Sequence, residues 1–75
     1  MNIVMLKDNQ EATVTSIDGD RDTQFRLMEL GFTPGTWIKV CGRSLFSSPV
    51  FVEVRGAVIS LRESEARCIL VKTKN

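Results

Sequence analysis

Residues 24–35 decide the fold of this chain, and they read Gln-Phe-Arg-Leu-Met-Glu-Leu-Gly-Phe-Thr-Pro-Gly. Apolar side chains recur within them at close to helical spacing, which predicts a short amphipathic helix over about residues 21–30. Asp20 or Asp22 is suited to cap its first turn, where a carboxylate also meets the positive end of the helix dipole. The residues of this stretch that we expect in the core are Leu27, Met28, Leu30 and Phe32.

Two glycines end this helix and redirect the chain. Gly31 follows the last periodic leucine, at a position where a left-handed residue closes a helix without steric cost. Pro34 and Gly35 suit the second and third positions of a type II turn. Strand-like alternation begins at Trp37, so a helix is joined to the start of a sheet by one tight turn.

Short strand-like segments fill most of the remaining chain. They cover residues 11–18, 37–43, 50–55, 58–61 and 68–72. The alternation breaks near Ser16 and Gly42, which indicates bulges or bends there, and residues 62–67 look like a single helical or 3₁₀ turn. We predict a mostly β fold, a minimal barrel of about five strands with one short α-helix after the first strand. A flat helix-on-sheet α+β fold is the alternative, and the pattern leaves open whether residues 1–6 pair at a sheet edge or cross the end of the domain.

Length and composition predict a single domain over residues 1–75 and argue against several functions. A formal net charge of +1 argues against a dedicated nucleic-acid binder, which needs a strongly basic face. The amino terminus lacks the features of a signal peptide, and no segment approaches the ~20 apolar residues of a membrane span. The two cysteines fit no common disulfide spacing and favour a reducing compartment. We therefore expect a cytoplasmic protein without direct membrane insertion.

The chain contains no histidine and no tyrosine, which removes the commonest general base and the commonest transition-metal ligand. Ser60 and Ser64 have no obvious activating base, and no glycine-rich phosphate loop is present. The acidic residues around Asp20 lack the spacing of a calcium-binding loop, so helix capping explains them. We expect no enzymatic activity, no catalytic residue, no cofactor and no metal ligand.

Ten positions with fixed spacing carry a resemblance to a known family. They are Arg-Leu-x-x-Leu-Gly-Phe-x-Pro-Gly over residues 26–35. The resemblance extends from about residue 11 to residue 71. The further matching positions are Thr13, Val14, Ile17, Ile38, Val40, Val54, Gly56, Ser60, Leu61, Ile69 and Val71. The chain resembles the FeoA family, small cytoplasmic proteins with an SH3-like barrel that accompany the ferrous iron transporter FeoB. The same barrel resembles the carboxy-terminal domain of DtxR-type metal-dependent repressors.

The resemblance implies an accessory role in ferrous iron uptake. Its partner would be the cytoplasmic G-protein region of a FeoB-type membrane GTPase, whose transport it would modulate. The alternative is a stand-alone regulatory barrel that binds a metal-dependent repressor or another protein's peptide. The oligomeric state stays open.

We expect the partner-binding residues on one strand and the loop after it. By alternation Trp37, Lys39 and Arg43 face away from the core, and Trp and Arg are enriched at binding hot spots. The loop residues completing this set are Leu45, Phe46, Ser47, Ser48 and Pro49. Two alternatives stay open: Trp37 packs against residues 1–6, or Leu45 and Phe46 close the open end of the barrel. Family members often have Ala-Pro-Leu-Gly-Asp-Pro in this loop, where this chain has Ser-Leu-Phe-Ser-Ser-Pro over residues 44–49.

Overall fold

The computed structural model describes residues 1–73, apart from the side chain of Ser47. Five antiparallel strands form one sheet in the order β4-β3-β2-β1-β5. The strands are β1 (Glu11–Ile17), β2 (Trp37–Arg43), β3 (Val50–Val54), β4 (Ala57–Leu61) and β5 (Ile69–Thr73), and the helices are α1 (Arg21–Glu29) and α2 (Glu63–Cys68). The predicted mostly β fold, a small five-stranded barrel with a short helix after its first strand, is confirmed. The turn expected over residues 62–67 is the six-residue helix α2.

Helix α1 begins and ends as its sequence predicts. Asp20 is the N-cap residue, and its carboxylate accepts a hydrogen bond of 2.8 Å from the Thr23 N–H. At the other end the Gly31 N–H donates to the Met28 carbonyl at 3.0 Å and the Phe32 N–H donates to the Leu27 carbonyl at 3.1 Å. Gly31 has a φ of +115°. This pair of bonds is a Schellman cap, which satisfies two carbonyls that the helix leaves without partners.

The expected core of this stretch is only half correct. Leu27 and Phe32 are fully buried, but Met28 is 44% exposed and Leu30 is 40% exposed. The prediction was wrong for these two because Leu27 is the only residue that α1 buries. Met28 lies one residue further on, about 100° round a helix of 3.6 residues per turn, and points away from that contact.

The Pro34–Gly35 turn joins α1 to the sheet. The Thr36 N–H donates to the Thr33 carbonyl at 3.0 Å, and Gly35 has a φ of +90°, as a type II turn requires. The turn also pairs with β1, because the Gly35 N–H donates to the Val14 carbonyl at 2.8 Å and the Val14 N–H donates to the Thr36 carbonyl at 2.9 Å. The helix end and the start of β2 are therefore fixed to the middle of β1.

The amino-terminal segment both pairs with the sheet edge and crosses the end of the barrel. Asn2 bridges to Leu70 on β5, and the Val71 N–H donates to the Met1 carbonyl at 2.8 Å. A 3₁₀ turn, Ile3–Met5, follows and places Ile3 and Leu6 in the core. The two arrangements that the sequence left open thus occur together.

Both predicted irregularities in the strands are β-bulges. The β1–β5 register shifts between Val14 and Ser16, and the β2–β3 register shifts between Val40 and Gly42. A bulge inserts one extra residue in one strand, so the alternation of faces is offset beyond it. The second bulge changes the face of every β2 residue that follows it, with consequences for the candidate site.

Candidate protein-binding site

Trp37 stands at the first position of β2 and is 40% exposed. Its partner in the register is Thr13 on β1, and its indole N–H donates a hydrogen bond of 2.8 Å to the Glu11 carboxylate. The polar edge of the ring is therefore held by β1, while part of the ring faces solvent. An indole fixed in this way is suited to protein contact because little side-chain freedom remains to be lost.

Lys39 lies two residues further along the same outward face and is half-buried. Its register partners are Glu11 on β1 and Glu53 on β3. Opposite charges on neighbouring strands stabilise the sheet modestly. This cation is therefore flanked by two carboxylates.

Arg43 does not lie on this outward face, contrary to the alternation. The bulge at Cys41 places it opposite Val50, a buried core residue, so it shares the inner face of the sheet. Its guanidinium donates to the Asp8 carboxylate at 2.7 Å, to the Val4 carbonyl at 3.1 Å and to the Leu6 carbonyl. Arg43 thus fastens the amino-terminal segment over the end of the barrel. Its guanidinium donors are used within the chain and are not presented on the outer face of β2.

The loop between β2 and β3 presents two large apolar side chains to solvent. Leu45 is 82% exposed and Phe46 is 95% exposed. The alternative in which they close the end of the barrel is wrong, because side chains at that exposure cover no core. Ile3 and Leu6 fill the core from the amino-terminal segment instead.

The base of this loop is fastened while its tip projects. The Ser44 N–H donates to the Pro49 carbonyl at 3.1 Å, and the Ser44 hydroxyl donates to the Ser48 carbonyl at 2.6 Å. The Ser48 hydroxyl in turn accepts a bond of 3.2 Å from the Glu63 N–H at the start of α2. The Ser47 side chain, which the sequence assigned to the binding set, lies outside the described residues. The loop is held by hydrogen bonds at both of its ends, and Leu45 and Phe46 project from it between them.

Phe46 adopts a backbone conformation that a bulky residue rarely takes. Its φ is +69° and its ψ is 18°, which is the left-handed region. A non-glycine residue in this region costs of order 1–3 kcal/mol, and such strain clusters at ligand clamps and switch regions. The phenyl ring is 95% exposed, so no core contact of this side chain offsets the strain within the free chain.

The structure divides the predicted set in two. Trp37 and Lys39 stand at the start of β2, whereas Leu45 and Phe46 follow its end. A seven-residue strand spans roughly 20 Å at about 3.3 Å per residue. One contact patch of ordinary size would have to extend along the whole strand to include both groups.

Other exposed apolar side chains were not predicted as site residues. Phe25 on α1 is 65% exposed and Val58 on β4 is 60% exposed. The signal for Val58 lay in the sequence, because a two-residue hairpin connection fixes which strand residues face outward. No comparable signal marked Phe25 as exposed, because its spacing relative to the other apolar residues of the helix is close to helical.

A shallow cleft of about 320 Å³ separates α1 from α2. It is lined by Gly19, Asp20, Thr23, Arg26, Arg62, Ser64, Glu65 and Cys68. An ion pair between Arg26 and Glu65 crosses it, and the Thr23 backbone N–H holds the pKa of the Asp20 carboxyl below its ordinary value. This ion pair therefore links the two helices across the cleft. Among the described residues no three His, Cys, Asp or Glu side chains come together as metal ligands would.

The curved five-stranded sheet, capped by a 3₁₀ turn and bearing an exposed apolar loop, defines a small SH3-like barrel domain. The FeoA domain family matches residues 1–73, and the chain belongs to this family. No curated protein sequence matches the chain. Among the described residues, no helix is long and apolar enough to cross a membrane.

Solved structures of the same family are similar to the chain over its whole length. The FeoA protein of Chlorobium tepidum is 31% identical with a TM-score of 0.92, and the match covers 100% of this chain and 71% of that one. The zinc-complexed FeoA of Stenotrophomonas maltophilia is 28% identical with a TM-score of 0.84, covering 96% of this chain and 89% of that one. The similarity to repressor barrels is also found: IdeR of T. acidophilum is 27% identical with a TM-score of 0.84, and the match covers 99% of this chain but 34% of that one.

Proposed function

We propose that this protein is a non-enzymatic cytoplasmic accessory protein of ferrous iron uptake. It binds the cytoplasmic G-protein region of a FeoB-type membrane transporter and modulates transport. Membership of the FeoA family supports the iron-transport context. The Stenotrophomonas maltophilia relative was described as a candidate ferrous iron transport activating factor, which is the role we extend to this chain.

The observation that carries the proposal is the Leu45–Phe46 tip. Leu45 is 82% exposed and Phe46 is 95% exposed. Burying these apolar side chains against a partner would lower the free energy of the complex. Full burial of such a side chain is worth roughly 1.5–3 kcal/mol. An aromatic anchor on a fastened loop loses little conformational freedom on binding, which is typical of hot-spot residues.

The protein acts in this proposal by contact and not by chemistry. The chain has no histidine, so the hydroxyls of Ser60 and Ser64 lack the commonest activating base. Iron would remain the cargo of the transporter. The barrel would alter transport by favouring one conformation of the G-protein region, to the extent that it binds that conformation better than others.

The test is calorimetric titration of a FeoB-type G-protein region from the same genome. Phe46→Ser should weaken binding by about 30-fold, since truncation of a hot-spot residue costs about 2 kcal/mol and 1.4 kcal/mol is tenfold. Phe25→Ser is the matched control, because it makes the same substitution at another exposed phenylalanine. Trp37→Ala tests separately whether the start of β2 takes part.

The possible outcomes test the proposed binding surface and the proposed partner separately. Equal affinities for wild type and Phe46→Ser would remove the loop from the interface and leave the partner in place. No binding by the wild type would overturn the proposed partner. Binding instead to a metal-dependent repressor would favour the alternative regulatory role, which the similarity to repressor barrels supports.

A further inference from the structure

The outer edge of β4 is an unpaired strand edge. In the sheet order β4-β3-β2-β1-β5 the two edge strands are β4 and β5. The amino-terminal segment covers part of the β5 edge through the Asn2–Leu70 bridge and the Val71–Met1 bond. Among the described residues, none exchanges a backbone hydrogen bond with the outer side of β4. Within this part of the chain, the outer side of β4 therefore has no backbone pairing partner.

The β3–β4 hairpin fixes which backbone groups face outward. Val54 pairs with Ala57 across the two-residue turn Arg55–Gly56, where both φ angles are positive, 52° and 81°. In such a hairpin the residues flanking the turn bond to each other, and every second pair does so thereafter. The N–H and C=O groups of Val58 and Ser60 therefore point away from β3, towards solvent.

The residues of this edge do not protect it. Proteins commonly place charged residues or proline on exposed edge strands to prevent pairing. β4 reads Ala-Val-Ile-Ser-Leu and contains neither, while Val58 is 60% exposed. Four unbonded backbone groups beside an exposed valine form a template for another strand.

Two arginines stand at the ends of this edge. Arg55 lies in the hairpin turn and Arg62 follows the last residue of β4, and both are exposed. Neither forms an ion pair with any described residue. The other arginines near α2, Arg26 and Arg67, are paired with Glu65 and Glu63. Arg55 donates one long hydrogen bond of 3.5 Å to the Thr33 hydroxyl, and Arg62 borders the cleft between α1 and α2. The edge is therefore uncharged along its length, and an arginine outside the ion pairs of the described residues stands at each end.

We propose that the outer edge of β4 binds an extended protein segment with uncharged residues at its centre and acidic residues at both ends. The segment adds a sixth strand, antiparallel to β4, through the backbone groups of Val58 and Ser60. Its acidic ends meet Arg55 and Arg62, and its alternate apolar side chains lie beside Val58. The inference goes beyond the proposed function, since it concerns another strand and does not need the transporter.

The test is an NMR titration of the ¹⁵N-labelled chain with synthetic peptides. The probe is acetyl-Asp-Glu-Val-Thr-Val-Thr-Val-Glu-Asp-amide, and the control carries lysine at the four acidic positions. The acidic peptide should shift the Val58 and Ser60 amide resonances and protect these amides from hydrogen exchange. The lysine peptide should bind at least tenfold more weakly, and more so at low salt.

Two variants distinguish strand pairing from general attraction. Val58→Pro removes an outward N–H but no bond to β3, and proline is tolerated at such edge positions; it should weaken the acidic peptide at least tenfold. If this variant unfolds, a second variant combines Arg55→Glu with Arg62→Glu and leaves the backbone groups of β4 unaltered. It should reverse the preference between the two peptides, so that the lysine peptide binds better than the acidic one.

Several results would overturn the proposal. Shifts confined to other strands, equal binding of the two peptides, or unaltered binding by a folded Val58→Pro variant would each do so. A wild-type dimer in sedimentation experiments that Val58→Pro dissociates would make a second copy the occupant instead.

Discussion

Gly31 combines a backbone requirement with a packing requirement at a single residue. Its φ of +115° closes α1, and a Cβ built there would lie 3.3 Å from Val54 Cγ2 and 3.2 Å from Arg55 Cδ. Gly35, in the turn that follows, has a φ of +90° with nothing within 4 Å. Both glycines supply a conformation that L-residues rarely adopt, but only Gly31 also meets neighbouring side chains.

We predict that Gly31→Ala lowers the free energy of unfolding by about 2–3 kcal/mol, from backbone strain and displaced neighbours. Gly35→Ala is the matched control and should cost only about 1 kcal/mol, since its loss is the backbone strain alone. Urea unfolding of both variants measures the difference. Equal losses would show that the approach to Val54 and Arg55 contributes nothing.

The strands show which features the sequence could predict. The breaks in alternation at Ser16 and Gly42 correctly indicated bulges, because an extra residue leaves a visible gap in the period of two. The pattern did not predict that Arg43 would turn to the inner face, since a sequence does not tell on which side of the break the register resumes. Met28 and Leu30 were wrong for a related reason: helical spacing does not show how wide a stripe of the helix the rest of the fold covers, and α1 buries Leu27 alone.

The amino-terminal segment depends on β2 through Arg43, and this contact is testable as an element-level interaction. Arg43→Met keeps the aliphatic stem but removes the bonds to Asp8, Val4 and Leu6. We expect a loss of about 2 kcal/mol, in the range of hydrogen bonds to charged groups. Hydrogen exchange should accelerate at the Leu6 N–H, which donates to the Ile3 carbonyl at 3.1 Å.

The control is Asp8→Asn, which weakens the ion pair but leaves the two backbone carbonyls bonded to Arg43. Asp8 is largely exposed, and exposed ion pairs contribute only about 0–1 kcal/mol. The Asp8→Asn variant should therefore keep the slow exchange of the segment. Unchanged protection in Arg43→Met would mean that the Val71–Met1 bond and the burial of Ile3 hold residues 1–6 without the arginine.

The buried side chains of residues 1–73 form one core, to which the five strands and both helices contribute. Its fully buried side chains come from the amino-terminal turn, the five strands, both helices and Phe32, and the domain measures 29 × 27 × 23 Å. A domain of 75 residues is stable by only about 4–11 kcal/mol at 0.05–0.15 kcal/mol per residue. Because the same core holds β2 and β4, both proposed binding surfaces depend on it.

Leu27 and Met28 are adjacent in α1 and test this dependence on one core. Leu27→Ala should lower the free energy of unfolding by about 2–5 kcal/mol, because it opens a cavity at a fully buried position. Met28→Ala should cost less than about 1 kcal/mol, since Met28 is 44% exposed and alanine has the higher helix propensity. Trp37 fluorescence reports on β2 and circular dichroism on the whole chain, so the two urea transitions should coincide in both variants. If the Leu27→Ala transitions separate, with circular dichroism changing before the tryptophan signal, α1 packs on a barrel that folds without it.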